Sequence, residues 1–107
     1  MQAIFTLSIG LKDKDARKQL ISCRAAKDLI FDILGDCTIL QGEGQFIHKD
    51  GGRVREKSLR VYVYDDDTAF SAIVEKAKQI CITLNQECVI VQMMRENGSF
   101  TTEFVGF

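Results

Sequence analysis

The stretch Thr68–Leu84 places Phe70, Ile73, Val74, Ala77, Ile80, Cys81 and Leu84 at i, i+3, i+4, i+7 spacing, the period of a helix with one buried side. That stripe reads as core rather than as a cofactor box, and Asn85-Gln86 ends it. The residues on either side follow a different period. Leu59–Tyr64 alternates, with Leu59, Val61 and Val63 on one side and Arg60, Tyr62 and Tyr64 on the other, as a half-buried strand does. Beyond the helix, Cys88–Glu96 and Ser99–Phe107 flank Asn97-Gly98, the strongest short hairpin signal in the chain. The register of a two-residue turn there sets Val91 opposite Phe104 and Met93 opposite Thr102.

The N-terminal half repeats this grammar. Gln2–Leu11 puts Ala3, Phe5, Leu7, Ile9 and Leu11 on one face, which predicts a strand. Lys12–Gln19 is a charged connection. Ser22–Leu34 reads as a helix with Ser22 as N-cap, Ile21 and Ala26 as staple, and Gly35 past its end. Cys37–His48 is a strand interrupted by Gly42 and Gly44, which suggests a bulge or a close approach. Asp50-Gly51 is a second two-residue turn signal, and as the loop it sets Ile47 opposite Val54, His48 opposite Arg53 and Phe46 opposite Arg55. The chain therefore reads as one α+β domain spanning residues 1–107. Its fold is ferredoxin-like, β-α-β-β-α-β, an antiparallel sheet with an extra C-terminal strand and two helices on one face.

Composition narrows the function classes. Fourteen Lys and Arg against fifteen Asp and Glu give a net charge of −1, which argues against nucleic acid, since phosphate neutralisation shows as basic excess. The excess is local instead: Lys49–Arg60 carries +3 and the remainder −4. Apolar runs fall well short of the roughly 18 residues that cross a bilayer, and no basic leader opens the chain, so the expected setting is cytoplasmic with no membrane partner. Cys23, Cys37, Cys81 and Cys88 form no C-x-x-C pair and read as reduced, buried thiols. Asp65, Asp66 and Asp67 suit the start of a helix better than a metal site, and nothing calls for a cofactor.

Two surfaces stand out. In the expected hairpin register Phe46, His48, Arg53 and Arg55 project from one face of the ribbon, a receptor for phosphate or carboxylate because Arg presents paired donors in a planar fork. The helices leave the other face of the sheet open, and it gathers Ile4, Tyr62, Tyr64, Ile90, Met94 and Val105. A face that apolar predicts an interface, and a homodimer packed sheet to sheet is the expected cover. No catalytic residues are assigned: His48 is the sole conventional general base, and no motif pairs it with a nucleophile. Gly42-Glu43-Gly44 precedes no helix and is not a dinucleotide fingerprint.

Thr38-Ile39-Leu40, Gly42-x-Gly44-x-Phe46 and Gly52-Arg53-x-x-Glu56-x-Ser58, leading into an apolar strand and a helix, resemble a family of small bacterial proteins known as a domain of unknown function. The resemblance runs from Gly35 through the second helix. Members of that family often carry an export signal, which this chain lacks, and commonly have Trp at the Phe46 position. The resemblance implies a ferredoxin-like fold and supplies no functional residues. The leading expectation is thus a non-enzymatic binding or regulatory module that recognises an anionic small molecule or an acidic protein surface through the hairpin. One alternative is a small dimeric ferredoxin-like enzyme working between sheet and helices with His48 and Tyr62 or Tyr64. Another is an inhibitor that acts by occupying a partner protein.

Overall fold

A computed structural model describes residues 1–47 and 50–106; His48, Lys49, Phe107 and the side chain of Phe46 lie outside that description. The elements in order are β1 (Gln2–Gly10), α1 (Cys23–Leu34), β2 (Thr38–Ile47), β3 (Arg53–Asp66), α2 (Phe70–Thr83), β4 (Cys88–Arg95) and β5 (Phe100–Gly106), with a 3-10 turn, Asp67–Ala69, before α2. The sheet runs β2-β3-β1-β4-β5 with every neighbouring pair antiparallel. Its first four strands and two helices make the ferredoxin-like arrangement, and β5 extends it beyond β4.

β1 lies at the centre because its alternation is the strictest. Phe5 pairs with Val63 on one side and Met93 on the other, and Leu7 with Val61 and Val91. All six point to the helix side and are buried. Burial of each large apolar side chain contributes roughly 1.5–3 kcal/mol before chain entropy is counted. The cover is α1 through Ala26 and Ile30 and α2 through Ile73, Ala77, Ile80 and Cys81.

Local chemistry sets the ends of the helices. Ser22 Oγ accepts from the N–H of Ala25 at 3.1 Å, and Gly35 closes α1 at φ +75°, a conformation that glycine adopts without penalty. Ahead of α2, Asp66 accepts from the N–H and hydroxyl of Thr68 at 3.0 and 2.8 Å, and Asp67 meets Arg95 Nε at 3.3 Å. The aspartate run is thus spent on starting the helix and tying it to β4.

The last hairpin departs from expectation by one residue. Glu96-Asn97-Gly98 forms a three-residue turn in which the N–H of Arg95 donates to Ser99 O and the N–H of Gly98 to Arg95 O. Gly98 alone has a positive φ, +88°, whereas the two-residue turn needs positive φ at Asn97 as well. Asn97 Oδ1 instead accepts from the N–H and hydroxyl of Ser99. Val91 therefore pairs with Glu103, Met93 with Thr101 and Val89 with Val105, and a slip of one residue turns the whole strand over. Val105, expected on the open face, is 6% exposed in the core, while Phe100 and Phe104 are 68% and 71% exposed.

Candidate functional site

The β2–β3 hairpin also slips by one. Ile47 pairs with Arg53, Phe46 with Val54 and Gln45 with Arg55, so the loop is longer than the Asp50-Gly51 turn. Gly51 takes φ +85° and the N–H of Gly52 donates to Asp50 Oδ1 at 2.8 Å. Among the described residues of this ribbon tip Arg53 and Ile47 are exposed and Val54 is only half-buried, so none of them forms a buried face that holds the expected register. Of the four expected receptor residues, Arg53 and Arg55 remain on one face. Position 46, paired with Val54, falls in the alternate set, and His48 lies outside the described residues. Gly42 and Gly44 meet no close neighbour: a Cβ on Gly42 would sit 3.6 Å from Ser58 Oγ, and one on Gly44 would meet nothing within 4 Å. β2 runs through both without interruption.

The glycine that close approach does require is Gly10. A Cβ there would lie 2.5 Å from Glu56 Oε1 and 2.8 Å from its Cδ, because the Glu56 side chain lies across the end of β1. The β1–β3 ladder continues one step past the strand, with the N–H of Leu11 donating to Lys57 O at 3.1 Å. The following N–H, of Lys12, donates to Glu56 Oε2 at 3.1 Å. A side chain thus makes the last rung and fixes a carboxylate at the mouth of a cleft of about 340 Å³.

One wall of this cleft is the connection from β1 to α1, contributing Lys12, Arg17 and Lys18; the other is the hairpin base, contributing Glu43, Arg55, Glu56 and Lys57. The connection is held rigidly. Asp13 Oδ1 accepts from the N–H groups of Asp15 and Ala16, and Asn85 Nδ2 donates to Asp13 and Asp15 at 3.1 and 2.8 Å. Gln86, buried, donates to Lys12 O at 2.9 Å. The Asp13 carboxyl is held below the usual carboxylate range, chiefly by the Ala16 N–H, with help from Asn85.

The open face of the sheet is ordered in rows across the strands. Tyr64, Ile4, Met94 and Phe100 pair in succession across β3, β1, β4 and β5. The adjacent row is Tyr62, Thr6, Gln92 and Thr102, and the third is Arg60, Ser8, Ile90 and Phe104. Ile4, Thr6, Gln92, Met94 and Phe100 line a shallow hollow of about 180 Å³. Tyr64 and Met94 are exposed, and Tyr62 and Ile90 half-buried. An aromatic and thioether row therefore lies beside a row that offers an amide and hydroxyls. The alternation in β3 and β4 pointed to Tyr64 and Met94, whereas Phe100 and Phe104 needed the register of β5.

No polar pocket lies between sheet and helices among the described residues. Phe5, Leu7, Ile9, Ile30 and Ile80 fill that space, and Gln86 is the buried polar side chain. The tyrosines are on the opposite face, so the described residues form no internal site of the kind expected with Tyr62 or Tyr64; His48 lies outside them. The cysteines are unbridged. Burial pushes the thiols of Cys37, Cys81 and Cys88 up, with Asp36, Cys88 and Glu87 respectively adding to it, which leaves them protonated and weakly nucleophilic at neutral pH. No helix among the described residues is long and apolar enough to cross a membrane.

No family model matches the chain, and no curated protein matches it. Among solved structures, it is similar to a phage SAM lyase in complex with S-methyl-5'-thioadenosine, with 19% identity, 99% of this chain and 90% of that chain covered, and a TM-score of 0.75. It is likewise similar to a phage SAM lyase in the apo state, with 19% identity, 98% and 89% covered, and a TM-score of 0.78. At that identity the likeness speaks to the fold. It nevertheless overturns the expectation of a non-enzymatic module or a pure inhibitor, because the architecture taken for a binding domain is, over nearly the whole chain, the architecture of a lyase.

Proposed function

We propose that the chain is an enzyme acting on a sulfonium nucleoside of the S-adenosylmethionine type, releasing S-methyl-5'-thioadenosine, at the open face of the sheet. The observation that carries this reading is the fold likeness to a lyase over 99% of the chain. The chemistry of the open face supports it. The substrate's own carboxylate oxygen can attack the side-chain carbon bonded to sulfur, closing a lactone as the carbon–sulfur bond breaks; the electron pair of that bond goes to sulfur and turns a cation into a neutral thioether. Once covered from water, an aromatic setting disfavours the charged reactant relative to the neutral product, and ring faces hold a sulfonium by cation–π attraction. Phe100, which lines the hollow with Gln92, offers such a ring, and the Gln92 amide can pair with the adenine edge in the manner of a bidentate Gln–adenine contact. The cleft at Glu56, with an excess of three positive charges, is a poor host for a cation.

The hollow alone is small. Small-molecule sites usually enclose about 300–1,000 Å³, against about 180 Å³ here. A second copy laid over exposed Tyr64, Met94, Phe100 and Phe104 would enclose the ligand and cover an apolar face that water solvates poorly. Calorimetric titration with S-methyl-5'-thioadenosine tests this placement. Gln92→Ala and Phe100→Ala should each weaken binding about tenfold, the worth of one hydrogen-bonded edge or one stacked ring. Unchanged binding in both variants would remove the open face as the site.

A further inference from the structure

The cleft between the β1–α1 connection and the hairpin base takes no part in the reading above, yet it has the features of a built site. Its volume, about 340 Å³, is that of a small-molecule pocket. It brings together five cations and two carboxylates. The ion pairs among the described residues, Met1–Asp66, Met1–Asp67 and Arg95–Asp67, involve none of these seven. The five cations outnumber the two carboxylates, and the uncompensated positive charge repels itself at a cost that a bound anion removes. Arg17 stands at φ +58°, a left-handed conformation that is unfavourable for a side-chain-bearing residue and that clusters at ligand sites. The bonds from Asn85 and Gln86 hold its loop in place, so the strain has a rigid support.

From this convergence we infer that the cleft is a second site, for a small phosphate monoester that carries hydroxyl groups, such as a sugar phosphate or a nucleoside monophosphate. The two arginines line opposite walls of the cleft, Arg17 on the loop and Arg55 on β3. Arg55 gives Nε to Gln45 Oε1 at 2.6 Å, which orients the fork and leaves its Nη donors for a phosphate. The doubly charged monoester matches most of the excess of three positive charges. Glu43 and Glu56 would repel a bare phosphate lodged against them, but they accept hydrogen bonds from hydroxyls. Glu56 is set for that role by the Lys12 N–H and by the space over Gly10. The carboxylates therefore select the ester over inorganic phosphate.

Titration calorimetry of the whole chain with ribose 5-phosphate, adenosine monophosphate, ribose and inorganic phosphate tests the assignment. The expected result is binding of both esters, no binding of ribose, and inorganic phosphate weaker than the esters. Arg17→Ala and Arg55→Gln should each weaken ester binding about tenfold or more, the loss of one charge-assisted contact, with circular dichroism unchanged, and added chloride should weaken it further. Release of S-methyl-5'-thioadenosine by the same variants should match the wild type, so the two sites succeed or fail separately. Absence of ester binding by the wild type, equal binding by both variants, or inorganic phosphate as tight as the esters would overturn the inference. Loss of S-methyl-5'-thioadenosine release in either variant would overturn the separateness of the site.

Discussion

Substitution of Gly10 by Ala tests the contact on which the mouth of the charged cleft depends. The new methyl carbon would stand 2.5 Å from Glu56 Oε1 and 2.8 Å from both Cδ and Oε2, well inside van der Waals contact. The backbone at Gly10 is held in the ladder with β3, opposite Ser58, so the flexible Glu56 side chain is what gives way. It loses the bond from the Lys12 N–H at 3.1 Å. A hydrogen bond to a charged group contributes about 1.5–3 kcal/mol, and this one is only part-buried, so the cost falls at the low end, about 1–2 kcal/mol. Urea unfolding of the wild type, Gly10→Ala, Glu56→Ala and the double variant closes a double-mutant cycle. The coupling energy should be about 1 kcal/mol or more, because Gly10→Ala meets no obstacle once the carboxylate is gone and alanine is the better strand residue. Equal costs of Gly10→Ala in both backgrounds would refute the reasoning.

Phe100→Asp and Phe104→Asp place charges on the open face and should leave a monomer by light scattering where the wild type associates; an unchanged mass would remove the second copy from the account. The Asp66 carboxyl is held well below the usual carboxylate range by the Thr68 N–H first, then by the Thr68 hydroxyl and the Met1 amine. A depressed folded-state value means stabilisation that is present above the ordinary Asp value of about 3.9 and lost as pH falls from there toward the folded value. The stability gap between wild type and Asp66→Asn should therefore shrink across that acid window. A gap constant with pH would show that ionisation of Asp66 is immaterial.

How much of this was legible in the residues depends on how locally each feature is determined. The alternation of Ala3, Phe5, Leu7 and Ile9 and the stripe from Phe70 to Leu84 each carry one buried side, so element type, order and the ferredoxin-like arrangement could be read directly. Both turn locations were legible as well, but their types were not. Asn97 spends its side chain on Ser99 and leaves the left-handed position to Gly98 alone. Either face of β5 is mixed, Phe100, Thr102 and Phe104 against Thr101, Glu103 and Val105, so apolar patterning could not correct the slip. The hairpin tip had the same weakness, which is why Phe46 was expected beside Arg53 and Arg55. Gly10 and Glu56 lie far apart in sequence and meet only because β1 pairs with β3. No local pattern announces such a contact, and Arg17 shows its left-handed backbone only in the folded loop.

The central claim, that this fold cleaves a sulfonium nucleoside on its open face, is tested most directly by turnover. Purified protein is incubated with S-adenosylmethionine and the products are separated by chromatography, beside the Gln92→Ala and Phe100→Ala variants. S-methyl-5'-thioadenosine should accumulate with wild-type protein and time, and about tenfold less with each variant. No release above the spontaneous rate by folded, associated wild-type protein would contradict that claim.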